Sequence, residues 1–173
     1  SCGERRTVTF PRFGDHSVWT MGHPEPATLP RHLTNIDEVS FFMGLGPGTG
    51  LWVGPARLGL FRSARVVEAT VRLLSALERS AKLTSTEGAL RLDVWGNVAG
   101  QSAHRMLCGT GHMREVTGVS LAVGASMIAR QQQAERRGGV FAPESCLDAA
   151  DFFAAVGQHG IEAYRDLAMV EPA

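Results

Sequence analysis

Lysine, cysteine and long apolar runs are scarce in this chain of 173 residues, and the last two scarcities exclude some classes of protein. Lys82 is the only lysine, and arginines supply the remaining basic side chains. Cys2, Cys108 and Cys146 are an odd number without the spacing of a disulfide framework, which favours a reduced, cytoplasmic compartment. No apolar run reaches the ~20 residues of a membrane span and no signal peptide is recognisable, so we expect no membrane partner.

A surplus of one charge is also absent, because 17 Lys+Arg balance 17 Asp+Glu. Such a chain has no electrostatic reason to bind nucleic acid or an anionic membrane. The hydrophobic content of 44% and the charged content of 20% are those of a globular protein. We therefore expect one domain over residues 1–173, long enough to bury about two-thirds of its unfolded surface.

Hydrophobic periodicity predicts an α+β domain. The clearest helix covers 62–83, where apolar residues at 67, 71, 74, 77 and 81 form one stripe. Two i,i+4 ion pairs in the favourable order, Glu68–Arg72 and Glu78–Lys82, also support this helix. Further helices are predicted at 115–133 and 148–158, and strands at 6–13, 17–21, 37–43, 89–98, 102–108 and 161–169. A turn is expected at 14–16 and a glycine-rich loop at 44–55. This order favours a mixed, mostly antiparallel sheet with helices packed on one face.

Two faces carry specific packing predictions. Apolar residues alternate along one side of strand 89–98 and predict that this side is buried; they are Leu90, Leu92, Val94 and Val98. The strand is expected to pair antiparallel with 102–108 across a turn at Ala99-Gly100. Small residues at 118, 122, 125 and 129 share one face of helix 115–133 and predict that another element packs closely against it.

The segment 22–31, GHPEPATLPR, contains three prolines in ten residues. Because proline fixes φ and removes a backbone donor, we predict a rigid turn here rather than a strand interior or the middle of a helix, with a short helix from Ala27 as the continuation. Such a turn would present His23, Glu25 and Arg31 at a ligand-facing corner of the domain. The alternative is a rigid strand-to-helix connection without a chemical role.

Familiar cofactor and metal motifs are not formed. In GLGPGTG, 44–50, the residue five positions after Gly44 is Thr49, so the dinucleotide fingerprint fails. His104, Cys108 and His112 would share one side of a strand, but the outer two would lie ~26 Å apart, which argues against a zinc site. A thiolate at Cys146, activated by the following helix, is a weaker interpretation than a buried structural cysteine.

Thr117 lies near the start of the helix 115–133. Free N–H groups and the positive end of the helix dipole suit a carboxylate at such a position. The alternative is that the Thr117 hydroxyl caps the helix, and the two roles are compatible.

Three segments occur in an order that resembles a known domain. They are GHPEPATLPR at 22–31, TGVSLAVGASMIA at 117–129 and GVFAPESCLDAADFF at 139–153, with a strand pair around LDVWGNVAG at 92–100. Together they resemble the C-terminal domain of saccharopine dehydrogenase-like oxidoreductases over residues 6–165. The motifs are short, and their joint order is specific for the family but not for a member.

The resemblance implies a fold similar to the C-terminal domain of glyceraldehyde-3-phosphate dehydrogenase. It also implies hydride transfer between NAD or NADP and a C–N bond of an amino-acid-type substrate. In such enzymes this domain binds the substrate and often forms a homodimer. The chain has no Rossmann fingerprint, so a cofactor-binding Rossmann domain is expected upstream in a longer parent or on another chain. The isolated chain is then expected to be inactive.

The candidate site residues follow from this resemblance and from the residue types. His23 or Glu25 would transfer a proton or orient the group that does, and Arg31 and Arg105 would anchor substrate carboxylates. Thr117 would contribute a further substrate contact. The alternative is a non-catalytic module of the same fold that dimerises or binds a small acidic metabolite.

Overall fold

A computed structural model describes residues 3–44, 49–81, 87–135 and 139–173, without the side chains at 49, 51, 77–81 and 131–135. Within this part of the chain there are two antiparallel sheets, of three strands and two strands, together with α-helices and one 3₁₀ turn. The α+β character and the antiparallel pairing are confirmed. The strands form two sheets, however, where one mixed sheet was predicted.

The first sheet contains β1 (Arg5–Phe10), β2 (Gly14–Thr20) and β3 (Phe42–Met43), in that order. Phe10 pairs with Gly14, so the turn lies at 11–13 and the prediction of 14–16 is wrong. Pro11 ends β1, and Arg12 adopts φ 61°, the left-handed conformation that the tight turn requires. The predicted strand 37–43 is reduced to its last two residues.

The proline-rich segment is helical, which corrects the prediction of a turn. Helix α1 (Glu25–His32) begins after Pro24, and Pro26 lies in its first turn, where the missing N–H has no intrahelical acceptor. Pro30 is inside the helix and removes only one internal hydrogen bond. One short helix therefore tolerates all three prolines.

The predicted loop 44–55 is also helical in its second half. Helix α2 (Thr49–Arg57) contains Pro55, and residues 45–48 of the predicted loop lie outside the described chain. A 3₁₀ turn (Leu60–Arg62) follows.

Helix α3 (Ala64–Ala81) confirms the helix predicted at 62–83. Glu68 accepts a hydrogen bond from Arg72 at 2.6 Å, the expected i,i+4 pair. Apolar side chains at 67, 71 and 74 are exposed, so this part of the stripe does not line a core within the chain. The stripe positions 77 and 81, and the predicted pair of Glu78 with Lys82, lie outside the described side chains.

The second sheet is a long hairpin of β4 (Glu87–Val98) and β5 (Gln101–His112). Ala99 and Gly100 both have positive φ, 52° and 80°, as a two-residue hairpin turn requires, which confirms the predicted pairing. The prediction of a buried apolar face is wrong. Leu90, Leu92, Val94 and Val98 are 65%, 49%, 55% and 65% exposed.

Three helices follow the hairpin: α4 (Met113–Glu135), α5 (Pro143–Cys146) and α6 (Ala149–Gly157). Helix α4 packs on α6, and buried Gly124 lies at this contact, where an added Cβ would lie 3.6 Å from Leu147 Cδ1 and 3.8 Å from Phe152 Cε2. The predicted small-residue face at 118, 122, 125 and 129 is exposed instead. Gly124 precedes Ala125 and belongs to the neighbouring face of the helix. The prediction that α4 packs closely is therefore right, but the face that packs is a different one.

The C-terminal segment is not the predicted strand 161–169. Tyr164 forms isolated bridges with Cys108 and with Pro172, which attach the segment to the edge of β5. The most buried apolar side chains described are Val18, Pro11, Cys108 and Val156. No helix in the described ranges is both long and apolar enough to span a membrane.

Candidate functional site

His23 is held at the N-terminal end of α1 by two neighbours. Its Nδ1 contacts Glu25 Oε2, and its ring stacks on Phe41 with centroids 3.9 Å apart and planes inclined by 11°. Phe41 is positioned by its carbonyl, which accepts a hydrogen bond from the N–H of Met21 at 3.2 Å. The imidazole thus has a carboxylate partner and a fixed plane, and part of its side chain remains open to solvent. This arrangement is suited to proton transfer.

Arg31 lies in the last turn of the same helix and is exposed. It lies six positions after Glu25, which corresponds to ~9 Å along the helix axis. His23, Glu25 and Arg31 therefore share one short helix and its N-terminal flank. In the described contacts of this corner, His23 touches Glu25, whereas Arg31 lies at the other end of the helix and about a third of a turn around it from Glu25.

Helix α1 contacts α5 through the side chains of Thr28 and Glu144. The hydrogen bond from the Thr28 hydroxyl is the main cause that holds the pKa of Glu144 below its usual range, and the Glu144 N–H and the nearby His32 act in the same direction. Oε1 of Glu144 is shielded from solvent and has no hydrogen-bond partner among the described residues. The junction therefore joins the first of the three motif segments to the third.

Arg105 and Thr117 lie on other elements. Arg105 is on β5 opposite Val94, and its Nη1 donates to the carbonyl oxygen of His104 at 3.3 Å. Thr117 is exposed in the second turn of α4 rather than at its first residues. Neither residue has a hydrogen bond or ion pair with α1 in the contacts of the described chain.

A second polar cluster, which the sequence analysis did not identify as a site, lies on the hairpin. Asp93 accepts hydrogen bonds from Arg91 at 2.8 and 3.0 Å, and its Oδ1 lies 2.8 Å from His104 Nε2. Arg91 also donates to the carbonyl oxygen of Thr9 at 2.9 Å, which ties the hairpin to β1. Burial acts to raise the pKa of Asp93, but the hydrogen bonds and charges of Arg91 and His104 outweigh it, so the pKa lies below its ordinary value.

Trp95 extends this cluster towards the hairpin turn. Its ring is stacked on His104 with centroids 5.1 Å apart and planes inclined by 10°. Trp95 and His104 form one wall of an open depression of about 460 Å³, which Asn97 and Ser102 also line. The pairing Trp95↔His104 follows directly from a turn at Ala99-Gly100. The predicted position of the turn was therefore sufficient to predict that Trp95 and His104 are neighbours on the hairpin.

Metal binding and thiol chemistry find no support in the described residues. No group of three or more His, Cys, Asp or Glu side chains there could hold a metal ion. Burial raises the pKa of the Cys108 thiol, whose Sγ donates to the carbonyl oxygen of Asp166, so this thiol is a structural group. Cys146 is half-buried, with its Sγ 3.8 Å from the carbonyl oxygen of Pro143.

In comparisons with known proteins, no family model, no curated protein and no solved structure matches the chain.

Proposed function

We propose that this chain is the substrate-binding and dimerisation domain of a saccharopine dehydrogenase-like NAD(P)-dependent oxidoreductase. The enzyme would act on a C–N bond of an amino-acid-type substrate. The domain would have the fold of the C-terminal domain of glyceraldehyde-3-phosphate dehydrogenase, and a Rossmann domain upstream or on another chain would hold the cofactor.

The observation that carries the proposal is the convergence of the three motif segments. Thr28 of the first segment bonds to Glu144 of the third, and Gly124 of the second lies against Leu147 and Phe152 of the third. The third segment thus contacts both others, the first across more than 110 residues of sequence and the second across about 25.

The proposed chemistry assigns roles to the residues of α1 and its flank. When bound, the nicotinamide cofactor supplies the hydride that the substrate carbon accepts. This chain contributes a proton for the substrate nitrogen, from His23 oriented by Glu25. Arg31 is the carboxylate anchor of the same helix. Arg105 and Thr117 remain further candidate contacts, on the hairpin and on α4.

Kinetics of the full gene product with candidate amino-acid substrates test these roles. Arg31→Ala is expected to raise KM about 10- to 100-fold, the effect of losing a charge-assisted hydrogen bond of ~1.5–3 kcal/mol. His23→Gln is expected to lower kcat by about 10²-fold or more and to remove a limb of the pH profile. Arg65→Ala, an exposed arginine on α3, is the matched control. Unchanged KM and kcat in both variants would overturn the proposal.

The exposed apolar side chains of the hairpin favour a second candidate, a non-catalytic module of the same fold. Such a module would dimerise or bind a small acidic metabolite without turnover. Glutamate titrated by calorimetry into the chain distinguishes the two, when combined with the activity of the full gene product. Binding that needs Arg31, in a gene product without oxidoreductase activity, would favour the module.

A further inference from the structure

The β4–β5 hairpin has a polar face on which side chains of the two strands stand in opposed pairs. From the far end towards the turn, the pairs are Arg91 with Cys108, Asp93 with Met106, Trp95 with His104, and Asn97 with Ser102. The far end is covered, because Arg91 donates to the carbonyl oxygen of Thr9 and Cys108 Sγ donates to that of Asp166. The two pairs nearest the turn, which we call the outer pairs, are exposed to solvent. Trp95 is 69% exposed, so this large apolar ring is not part of a core within the chain.

The open depression of about 460 Å³ lies between the outer pairs. Their side chains form its corners, and the backbone of Gly96 and Ala103 forms its floor, because alternation directs the side chain of Ala103 to the opposite face. The volume is within the ~300–1,000 Å³ of small-molecule sites. Since the depression is open, a ligand in it would contact the protein on one side and solvent on the other.

His104 is held in place by a chain of contacts that begins in the first sheet. Arg91 bonds to the carbonyl oxygen of Thr9 and, at 2.8 and 3.0 Å, to Asp93. Oδ1 of Asp93 lies 2.8 Å from His104 Nε2. An ionised carboxylate only accepts hydrogen bonds, so Nε2 carries the hydrogen and Nδ1 is an acceptor in the neutral ring. Because the ring also stacks on Trp95, both rings are positioned before a ligand arrives.

The depression is uncharged but rich in hydrogen-bonding groups. None of the residues that line it is Asp, Glu, Lys or Arg, and the neighbouring Arg91 and Asp93 neutralise each other. An indole N–H, an imidazole nitrogen, an amide and a hydroxyl surround it, which is a mixture of donors and acceptors. The side chains of Asn97 and Ser102 form no hydrogen bond within the described part of the chain. The arrangement therefore suits a neutral ligand that both donates and accepts hydrogen bonds.

We propose that this depression is a binding site for a neutral sugar ring. A sugar hydroxyl both donates and accepts, so the hydroxyl groups of the ring bond to Asn97, to Ser102 and to Nδ1 of His104. The C–H groups of the ring pack on the exposed indole of Trp95, which presents an apolar body beside its polar N–H. The site goes beyond the proposed function and uses none of the residues assigned to it on α1.

The test is an NMR titration of the 173-residue chain labelled with ¹⁵N. The chain has 3 tryptophans, and a Trp95→Phe variant identifies which indole N–H signal belongs to Trp95. The probes are D-glucose, D-galactose, D-mannose and N-acetyl-D-glucosamine, with glycerol as a polyol without a ring and benzamide as a flat neutral aromatic amide. We expect at least one sugar to shift the Trp95 signal saturably, with a Kd of about 0.1–10 mM, and to leave the other two indole signals in place.

Two exposed side chains without hydrogen bonds of their own supply the variants, so folding is not at risk. Asn97→Ala and Ser102→Ala are each expected to raise the Kd about three- to tenfold, the effect of one lost hydrogen bond. Val94→Ala truncates a side chain on the opposite face of the same strand and is expected to bind like the wild type.

Four results would overturn the inference. They are no saturable shift with any of the sugars, an equal shift with glycerol, a shift with benzamide alone, and an unchanged Kd in both Asn97→Ala and Ser102→Ala. None of them depends on the kinetics of the Arg31 variant.

Discussion

Replacing Asp93 by asparagine removes the charge that links β4 to β5 and, through Arg91, to β1. The Asp93 side chain is only 15% exposed and takes part in three hydrogen bonds, at 2.8, 3.0 and 2.8 Å. Hydrogen bonds to a charged group contribute about 1.5–3 kcal/mol to stability. His104 is more exposed than Arg91, so its bond to Asp93 contributes less than the bonds from Arg91. We therefore expect Asp93→Asn to lower the free energy of unfolding by about 2 kcal/mol in total.

Urea denaturation followed by circular dichroism measures this loss. With an m-value of about 2 kcal/mol/M, the midpoint at pH 7 should fall by about 1 M. Asp37→Asn, an exposed loop carboxylate, is the control and should leave the midpoint unchanged. A midpoint equal to that of the wild type at pH 7 would refute the stabilising role of the Asp93 network.

The pH dependence has a definite sign. The pKa of Asp93 is lower in the folded chain than its ordinary value of 3.8, so folding favours the ionised carboxylate. The stabilisation is complete above about pH 4 to 5 and is lost as the pH falls through the folded-state pKa. The difference between wild type and Asp93→Asn should therefore shrink below about pH 4. A difference that stays constant from pH 7 to pH 3 would show that the asparagine acts through packing instead of charge.

Two further predictions concern the helices. Asp148 caps α6 by accepting a hydrogen bond from the N–H of Asp151 at 2.9 Å. In urea melts, Asp148→Ala should therefore lower the free energy of unfolding by about 1 kcal/mol, whereas Asp148→Asn should retain most of the stability of the wild type, because asparagine also caps helices. Gly124→Ala should be neutral or stabilising by up to ~1 kcal/mol, because its Cβ meets Leu147 and Phe152 at ordinary contact distances. Gly124→Leu should cost about 1–3 kcal/mol; equal melting temperatures for the two Gly124 variants would contradict the close packing.

Local patterns predicted the elements whose signals agree with one another. In the hairpin, the alternation along 89–98 and the turn at Ala99-Gly100 are consistent with one antiparallel pairing, and the structure has that pairing. In α3, the apolar stripe and the Glu68–Arg72 pair both indicate a helix. Such agreement leaves little room for another local structure.

Burial was predicted less well than local structure. Alternation shows that a strand has an apolar side but does not show what covers that side, so Leu92 was predicted to be buried and is half exposed. The prediction that the small-residue face of α4 is packed was wrong for the same reason, because Leu147 and Phe152 contact the helix at Gly124 instead. The proline-rich segment misled in another way, since prolines at the N-cap and in the first turn are compatible with a helix.

The candidate site was predictable where it depends on neighbours in sequence. His23 and Glu25 are two residues apart, and their contact needs only the start of α1. The junction of Thr28 with Glu144, and the link from Arg91 to Thr9, join segments more than 80 residues apart. Residue pattern alone does not reveal which distant segments meet, and these contacts came only from the structure.

The central claim, that this chain is the substrate half of a two-part oxidoreductase, is tested most directly by titrating NADPH into two proteins. One is the 173-residue chain, and the other is the longest product of the same reading frame. We predict saturable NADPH binding by a longer product that carries an upstream Rossmann domain, and none by the chain. Tight NADPH binding by the isolated chain would contradict the claim.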